Sequence, residues 1–156
     1  MSLKEKLVEL AENKKEDIEA KKAVDFWRNQ ADKLHNDIKT WFCGYDGYIK
    51  FDSTKKIIDE YPYPYEADKL ELDIKGGPVV ILEPVGSNIV GAWGRTDLYL
   101  SGYIANKVML LLMKDDNDKA YWELRKSRKQ EDRFIFNKEV FEDLLEDWLE
   151  NPPDFI

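Results

Sequence analysis

The chain has 156 residues, of which 43% are hydrophobic and 13% aromatic, and its formal net charge is −8. This hydrophobic content excludes a disordered protein, and the length fits one domain with a substantial core. The negative charge disfavours nucleic acid as a partner, because phosphate binding relies on clustered Lys and Arg. We therefore expect one α+β domain over residues 1–156 that does not bind nucleic acid.

The first long helix is predicted by apolar residues spaced alternately three and four apart. These residues are Val24, Trp27, Ala31, Leu34, Ile38 and Trp41. Gly44 ends the pattern, and the spacing places all six on one helix face. We expect Trp27, Leu34, Ile38 and Trp41 to be buried. The stripe packs either on the protein's own sheet or on a second copy, so a monomer and a helix-mediated homodimer both stay open.

Upstream of that stripe the chain becomes more polar. Leu3, Leu7 and Leu10 form a second short stripe, but residues 13–22 are almost wholly polar. Two and a half good heptads are too few for a stable coiled coil, which usually needs about three or four. We therefore expect residues 1–22 to form a partly solvated helical arm.

After Gly44 the apolar period changes to two. Leu70, Leu72 and Ile74 alternate with charged residues, as in a strand with one face in water. Other strands are predicted near 48–51, 55–58, 79–82, 89–93, 95–100, 107–113 and 120–125. The short connections favour hairpins. The expected fold is a curved antiparallel meander sheet of about six or seven strands, packed against the long N-terminal helix.

A second, strongly acidic helix is predicted over Lys138–Glu150, with Asn137 as its N-cap and Pro152-Pro153 at its end. Residues 138–156 carry one basic and seven acidic side chains, which is −6 of the net charge of −8. One face of the helix carries Glu139, Glu142, Asp143, Glu146, Asp147 and Glu150. Near the helix end, acidic side chains oppose the helix dipole, so helix stability does not require them.

That acidic face allows three interpretations: solubility, pairing with the basic run of residues 125–133, and recognition of a basic partner. For the third, the candidate partner-binding residues are Glu139, Glu142, Asp143, Glu146 and Glu150. A second candidate site is a ligand pocket. It is formed by Glu83, Trp93, Arg95 and Asp97. The simpler interpretation of this second set is an ion pair on the wet face of a sheet, contributing about 0–1 kcal/mol.

The sequence offers little material for catalysis or for metal binding. Its single cysteine, Cys43, excludes an intrachain disulfide and is expected to be a small buried apolar residue. With the single histidine, His35, it cannot complete a structural zinc site. Asp115–Asp118 lacks the glycine and the glutamate of a calcium loop, and the glycines of residues 86–94 lead into strand rather than helix. We expect no metal, no cofactor and no catalytic residue, which favours a protein that is not an enzyme.

Residues near the N-terminus and the longest apolar run bear on localisation. Glu5 and Glu9 interrupt the first residues, so no signal peptide is expected. Val108–Met113 is far too short to span a bilayer. The sequence thus predicts a soluble, cytoplasmic protein without membrane contact. The favoured function is a non-enzymatic protein-interaction module, of an immunity or adaptor type, that binds a basic protein. The alternative is a small-ligand-binding protein or enzyme that uses the concave face of the sheet.

Overall fold

A computed structural model describes residues 2–152 of the chain. The elements are α1 Leu3–Trp41, β1 Ile49–Ile58, β2 Tyr65–Ile74, β3 Val79–Gly86, β4 Gly94–Leu100, β5 Val108–Lys114, β6 Ala120–Arg125, β7 Arg133–Ile135 and α2 Lys138–Glu150. This arrangement confirms the predicted α+β fold. Pro153, predicted to help end the last helix, lies outside the described residues.

The strands form one seven-stranded antiparallel sheet, ordered β1-β2-β3-β4-β5-β6-β7. Each strand pairs with its chain neighbour, which confirms the predicted meander, and the sheet does not close into a barrel. The two predicted strands at residues 48–51 and 55–58 are one continuous strand, β1. The predicted strand at 89–93 is wrong, because that segment is a loop with a single bridge between Ile89 and Ala92. The strand β7 was not predicted, because it has only three residues and begins at the end of the basic run of residues 125–133.

Helix α1 is 39 residues long, and a capping box begins it. Ser2 Oγ accepts a hydrogen bond from the Glu5 amide at 3.2 Å, and the Glu5 side chain accepts one from the Ser2 amide at 3.4 Å. The predicted stripe is buried from Val24 to Ile38. Trp41 was expected to be buried but is only partly so, because it lies at the helix end, where its ring packs on Phe136 at 5.7 Å.

Both helices pack on the same face of the sheet, which we call the helix face. Its core includes Leu70, Leu72, Val80, Leu82, Leu98, Leu100, Leu110, Leu112, Trp122 and Leu124. Trp27 of α1 lies directly over Gly94, where an added Cβ would be 2.2 Å from the ring. Gly94 therefore sets how closely α1 approaches the sheet. Within the described chain no helix covers the opposite face, which we call the open face.

The N-terminal part of α1 extends beyond the sheet. Residues 2–16 are all exposed, including Leu3, Leu7 and Leu10. The first side-chain hydrogen bond from α1 to the sheet side is at Asp17, which accepts it from the Tyr61 hydroxyl in the loop between β1 and β2. The helix needs no sheet contact before this point, since its capping box and its regular backbone bonds satisfy its polar groups.

Helix α2 occupies the predicted residues. Asn137 caps it by accepting a hydrogen bond from the Val140 amide at 2.9 Å. Its apolar side reaches the core through Phe141, Leu144, Leu145 and Trp148. The Phe141 ring contacts that of Phe42, at the end of α1, with 5.4 Å between centroids. These contacts hold α2 against the sheet, so its polar side points outward.

Candidate functional site

The acidic face consists of Glu139, Glu142, Asp143, Glu146, Asp147 and Glu150 of α2. All but Glu142 are exposed. Glu142 forms the only ion pair that this face has in residues 2–152, with Lys138 at 3.8 Å. The basic run does not neutralise this face: Arg125 pairs with Glu123 at 2.6 Å, and Lys126 lies over the Phe134 ring. The face is therefore a concentrated negative surface, held in place by the buried side of its own helix.

The second predicted site is divided by the structure. Cross-strand pairing places Glu83 opposite Asp97, and Arg95 lies on the same open face. Trp93 lies apart from them, with its ring against Phe26 of α1 at 6.2 Å and under the Lys114 ammonium at 3.9 Å. Trp93 precedes β4, so strand alternation does not determine where its side chain points. Three of the four residues thus come together, and the aromatic residue does not.

Glu83 is held by two donors on the open face. The Tyr99 hydroxyl donates to it at 2.6 Å and the Lys56 ammonium at 3.0 Å. Burial alone would raise the pKa of Glu83, but these two donors outweigh burial, and its pKa lies below the usual value. Burial and the same carboxylate raise the pKa of Tyr99. The cluster is therefore a salt-bridged carboxylate beside a neutral phenol, and neither group is poised to take or give a proton near pH 7.

The remaining charges of this cluster are also paired internally. Arg95 donates to Asp97 through Nε at 2.8 Å and through Nη2 at 3.3 Å. Lys107 approaches the same carboxylate at 3.7 Å. Ile81 and Leu111 are buried beside these charged side chains on the open face. None of these side chains lines the cavities that lie between the end of α1, β1 and α2.

Two cavities adjoin each other at one end of the sheet, where α1 turns into β1. One of about 800 Å³ lies along the turn that follows α1 and the beginning of β1, and one of about 270 Å³ lies between that turn and α2. Phe42, Tyr48 and Ile49 line both. Cys43 was expected to be buried, but it is exposed in this turn because α1 leaves the sheet before reaching it. Sequence reasoning missed these cavities, since they are formed by three segments distant in sequence.

Glu60 is a second feature that the sequence did not indicate. Its carboxylate accepts hydrogen bonds from the Ser87 amide at 3.0 Å, the Ser87 hydroxyl at 2.7 Å and the Asn88 amide at 3.2 Å. The Tyr65 hydroxyl is a further donor. Burial acts to raise the pKa of Glu60, but these bonds lower it overall. The amides of the glycine-containing loop of residues 86–94 therefore donate to a carboxylate of the protein itself. In a phosphate-binding loop the amides would donate to a phosphate.

His35 and the aspartates of the β5–β6 hairpin have structural environments. His35 is buried, and burial lowers its pKa against the opposing effect of Asp68 and Asp32. Asp115 accepts hydrogen bonds from the amides of Asn117 and Lys119, both at 2.9 Å, which fixes the hairpin tip. Among residues 2–152, no three His, Cys, Asp or Glu side chains are grouped so that they could hold a metal ion.

Neither helix in the described part of the chain combines the length and the apolar character that crossing a membrane requires. Comparison with protein-family models, with curated proteins and with solved structures finds no match for this chain. Function therefore has to be inferred from its own surface.

Proposed function

We propose that the protein is a non-enzymatic interaction module, of an immunity or adaptor type, that binds a basic protein through the acidic face of α2. The supporting observation is that five of the six acidic side chains of this face are exposed. Of these six, only Glu142 forms an ion pair with another residue of the described chain. Unpaired carboxylates on one side of a helix create a negative potential that attracts a basic surface and accelerates its association.

The setting of α2 supports this role further. Phe141, Leu144 and Trp148 anchor the helix in the core. The acidic face is therefore already ordered, and binding a partner requires no further loss of backbone entropy in α2. Asp147 and Glu150 lie near the end of the helix, where the dipole disfavours negative charge by about 0.3–1 kcal/mol each. Solubility alone would be served equally well by acidic residues elsewhere on the surface.

The alternative is a ligand-binding protein or enzyme that uses the cluster at Glu83. Its support is one observation, the close contact of the Tyr99 hydroxyl with the Glu83 carboxylate at 2.6 Å. Against it, Glu83 and Asp97 both have basic partners within the protein. We favour the interaction module and assign it to the cytoplasm, because a lone exposed thiol at Cys43 suits a reducing compartment.

The test compares two triple variants that remove the same charge from different surfaces. The first is Glu139→Gln, Asp143→Asn and Glu150→Gln on α2. The control is Glu9→Gln, Glu12→Gln and Glu16→Gln on the exposed N-terminal part of α1. The partner is obtained by crosslinking capture from the source cells and is then purified. Its association rate with the wild type and with both variants is measured by stopped flow at low salt.

We expect the α2 variant to associate about tenfold more slowly than the wild type, and the control variant to be slowed by less than about twofold. The difference should shrink as salt shortens the Debye length from about 30 Å at 0.01 M to about 8 Å at 0.15 M. Equal rates for the α2 variant and the wild type would contradict the proposal. Equal slowing by both variants would show an effect of net charge alone.

A further inference from the structure

One side of the acidic face borders an apolar groove. This groove, the terminal groove, is the cavity of about 270 Å³ between α2 and the turn after α1. Its apolar walls include Tyr45, Tyr48, Ile74 and Leu149, and its acidic residues are Glu142 and Glu146. Tyr48 is 69% exposed, Leu149 49% and Tyr45 43%, although each is large and apolar. Such side chains are commonly left exposed together where a partner covers them.

The lining of the terminal groove selects for a cation on an apolar stem. It has two carboxylates, three aromatic rings counting Phe42, and no basic residue. Aromatic faces attract cations, and a carboxylate at the edge of the same groove strengthens this preference. The apolar residues would cover the methylene groups of the incoming side chain.

Glu142 supplies an independent indication. Its Oε1 atom is shielded from solvent and has no hydrogen-bond partner in the described part of the chain. The nearest cation, Lys138, lies 3.8 Å away, beyond hydrogen-bonding distance. The Glu142 side chain is 30% exposed, and no residue among 2–152 donates a hydrogen bond to its carboxylate. A donor in the groove that reaches the accessible part of this carboxylate would add a hydrogen bond that the described residues do not supply.

We propose that the terminal groove binds an arginine side chain of the basic partner, with an apolar residue of the partner next to it. This inference rests on the proposed function and specifies its contact. Arginine is favoured over lysine because its planar guanidinium can stack on a tyrosine ring while it donates to two carboxylates. Glu142 and Glu146, one turn apart on α2, are spaced to receive these donors.

The probe is the capped tripeptide acetyl-Leu-Arg-Leu-amide, with two analogues in which citrulline or lysine replaces arginine. Citrulline keeps the shape of arginine and removes its charge. Binding is followed by NMR through the methyl signals of Leu145 and Leu149. The matched variants are Glu146→Gln, which alters the groove, and Glu12→Gln, which removes the same charge from the exposed N-terminal part of α1.

We expect saturable shifts of the groove methyl signals with a Kd on the order of millimolar, as befits a small ligand. The citrulline peptide should bind about fivefold more weakly and the lysine peptide about twofold more weakly. Glu146→Gln should weaken binding of the arginine peptide about threefold, and Glu12→Gln by less than about 1.5-fold.

The inference is overturned if the methyl signals do not move, if citrulline binds as well as arginine, or if the two variants weaken binding equally. It is also overturned if sedimentation shows a dimer that Tyr48→Ser dissociates, because a second copy would then occupy the groove. The kinetic test of the proposed function changes Glu139, Asp143 and Glu150, none of which lines the groove. The two proposals can therefore fail separately.

Discussion

The two faces of the sheet are both shielded from water, but by different means. On the helix face, leucine, valine and tryptophan side chains lie beneath α1 and α2. On the open face, Ile81, Tyr99 and Leu111 are also buried, and their neighbours are ion pairs formed by residues of the sheet itself. Adjacent residues of β5 show the contrast: Leu110 on the helix face is 0% exposed, and Leu111 on the open face is 4% exposed.

This difference indicates which side chains determine the fold and which surface is free to bind a partner. Packed helices cannot move without breaking the core, whereas long charged side chains cover apolar neighbours with their methylene stems and can readjust. The charges at Glu83, Arg95 and Asp97 have ion-pair partners within the protein, so they offer little to a partner protein. The acidic face of α2 and the terminal groove combine exposed carboxylates with the exposed aromatic residues Tyr45 and Tyr48.

The largest expected effect compares Leu110→Ala with Leu111→Ala. Leu110→Ala should lower the free energy of unfolding by about 2–5 kcal/mol, because the cavity lies between the sheet and helices that cannot close it. Leu111→Ala should cost less than half as much, because flexible neighbouring side chains can move into the space. Urea denaturation measures both. Equal losses would mean that the open face is packed as rigidly as the helix face.

A smaller effect is expected from Gly94→Ala on the helix face. The added methyl would meet the Trp27 ring, where an ideal Cβ lies 2.2 Å from Cε3. Overpacking of this kind costs about 1–3 kcal/mol. Gly44→Ala is the matched control, since nothing lies within 4 Å of its added Cβ. The midpoint temperature of thermal denaturation is measured for both variants. If both kept the wild-type midpoint, the close approach of α1 to Gly94 would be refuted.

Periodicity predicted the elements in which burial alternates regularly. The second half of strand β2, Leu70–Ile74, and helix α2 were correctly predicted because their apolar residues recur at periods of two and 3.6. The first half of β2, from Tyr65, was not predicted. Strand β7 escaped prediction because it is short and mostly exposed. The partial exposure of Trp41 could not be predicted either, since it depends on where α1 leaves the sheet.

The candidate sites were harder to predict than the fold. The acidic face follows from helical spacing, because its residues share one element. The terminal groove, the Glu60 contacts and the separation of Trp93 from Glu83 depend on how distant segments meet. Ser87 lies 27 residues from Glu60, and no local pattern encodes their hydrogen bond.

The third prediction concerns the pH dependence of stability on the open face. Because the folded-state pKa of Glu83 is lowered, Glu83 contributes stability above its ordinary pKa of 4.5, and this is lost as pH falls through the folded-state pKa. At pH 7, Glu83→Gln should cost about 1 kcal/mol. The difference between wild type and variant should shrink below pH 4.5. A difference that grew on acidification would show that burial, rather than the Tyr99 and Lys56 donors, dominates.

The smallest expected effect is that of Lys107→Gln, and it tests whether the charges of the open face can readjust. Lys107 approaches Asp97 only to 3.7 Å, and its side chain is 41% exposed. The pair should contribute less than about 0.5 kcal/mol, and this contribution should vanish in 0.5 M salt. Arg95→Gln is the comparison, because Arg95 donates two hydrogen bonds to the same Asp97 carboxylate and is partly buried. This variant should lower the free energy of unfolding by more than Lys107→Gln does, and the decrease should persist in 0.5 M salt. Denaturant titrations at two salt concentrations separate the cases. If Lys107→Gln cost as much as Arg95→Gln, the open face would be a rigid charged network, and the contrast with the helix face would not hold.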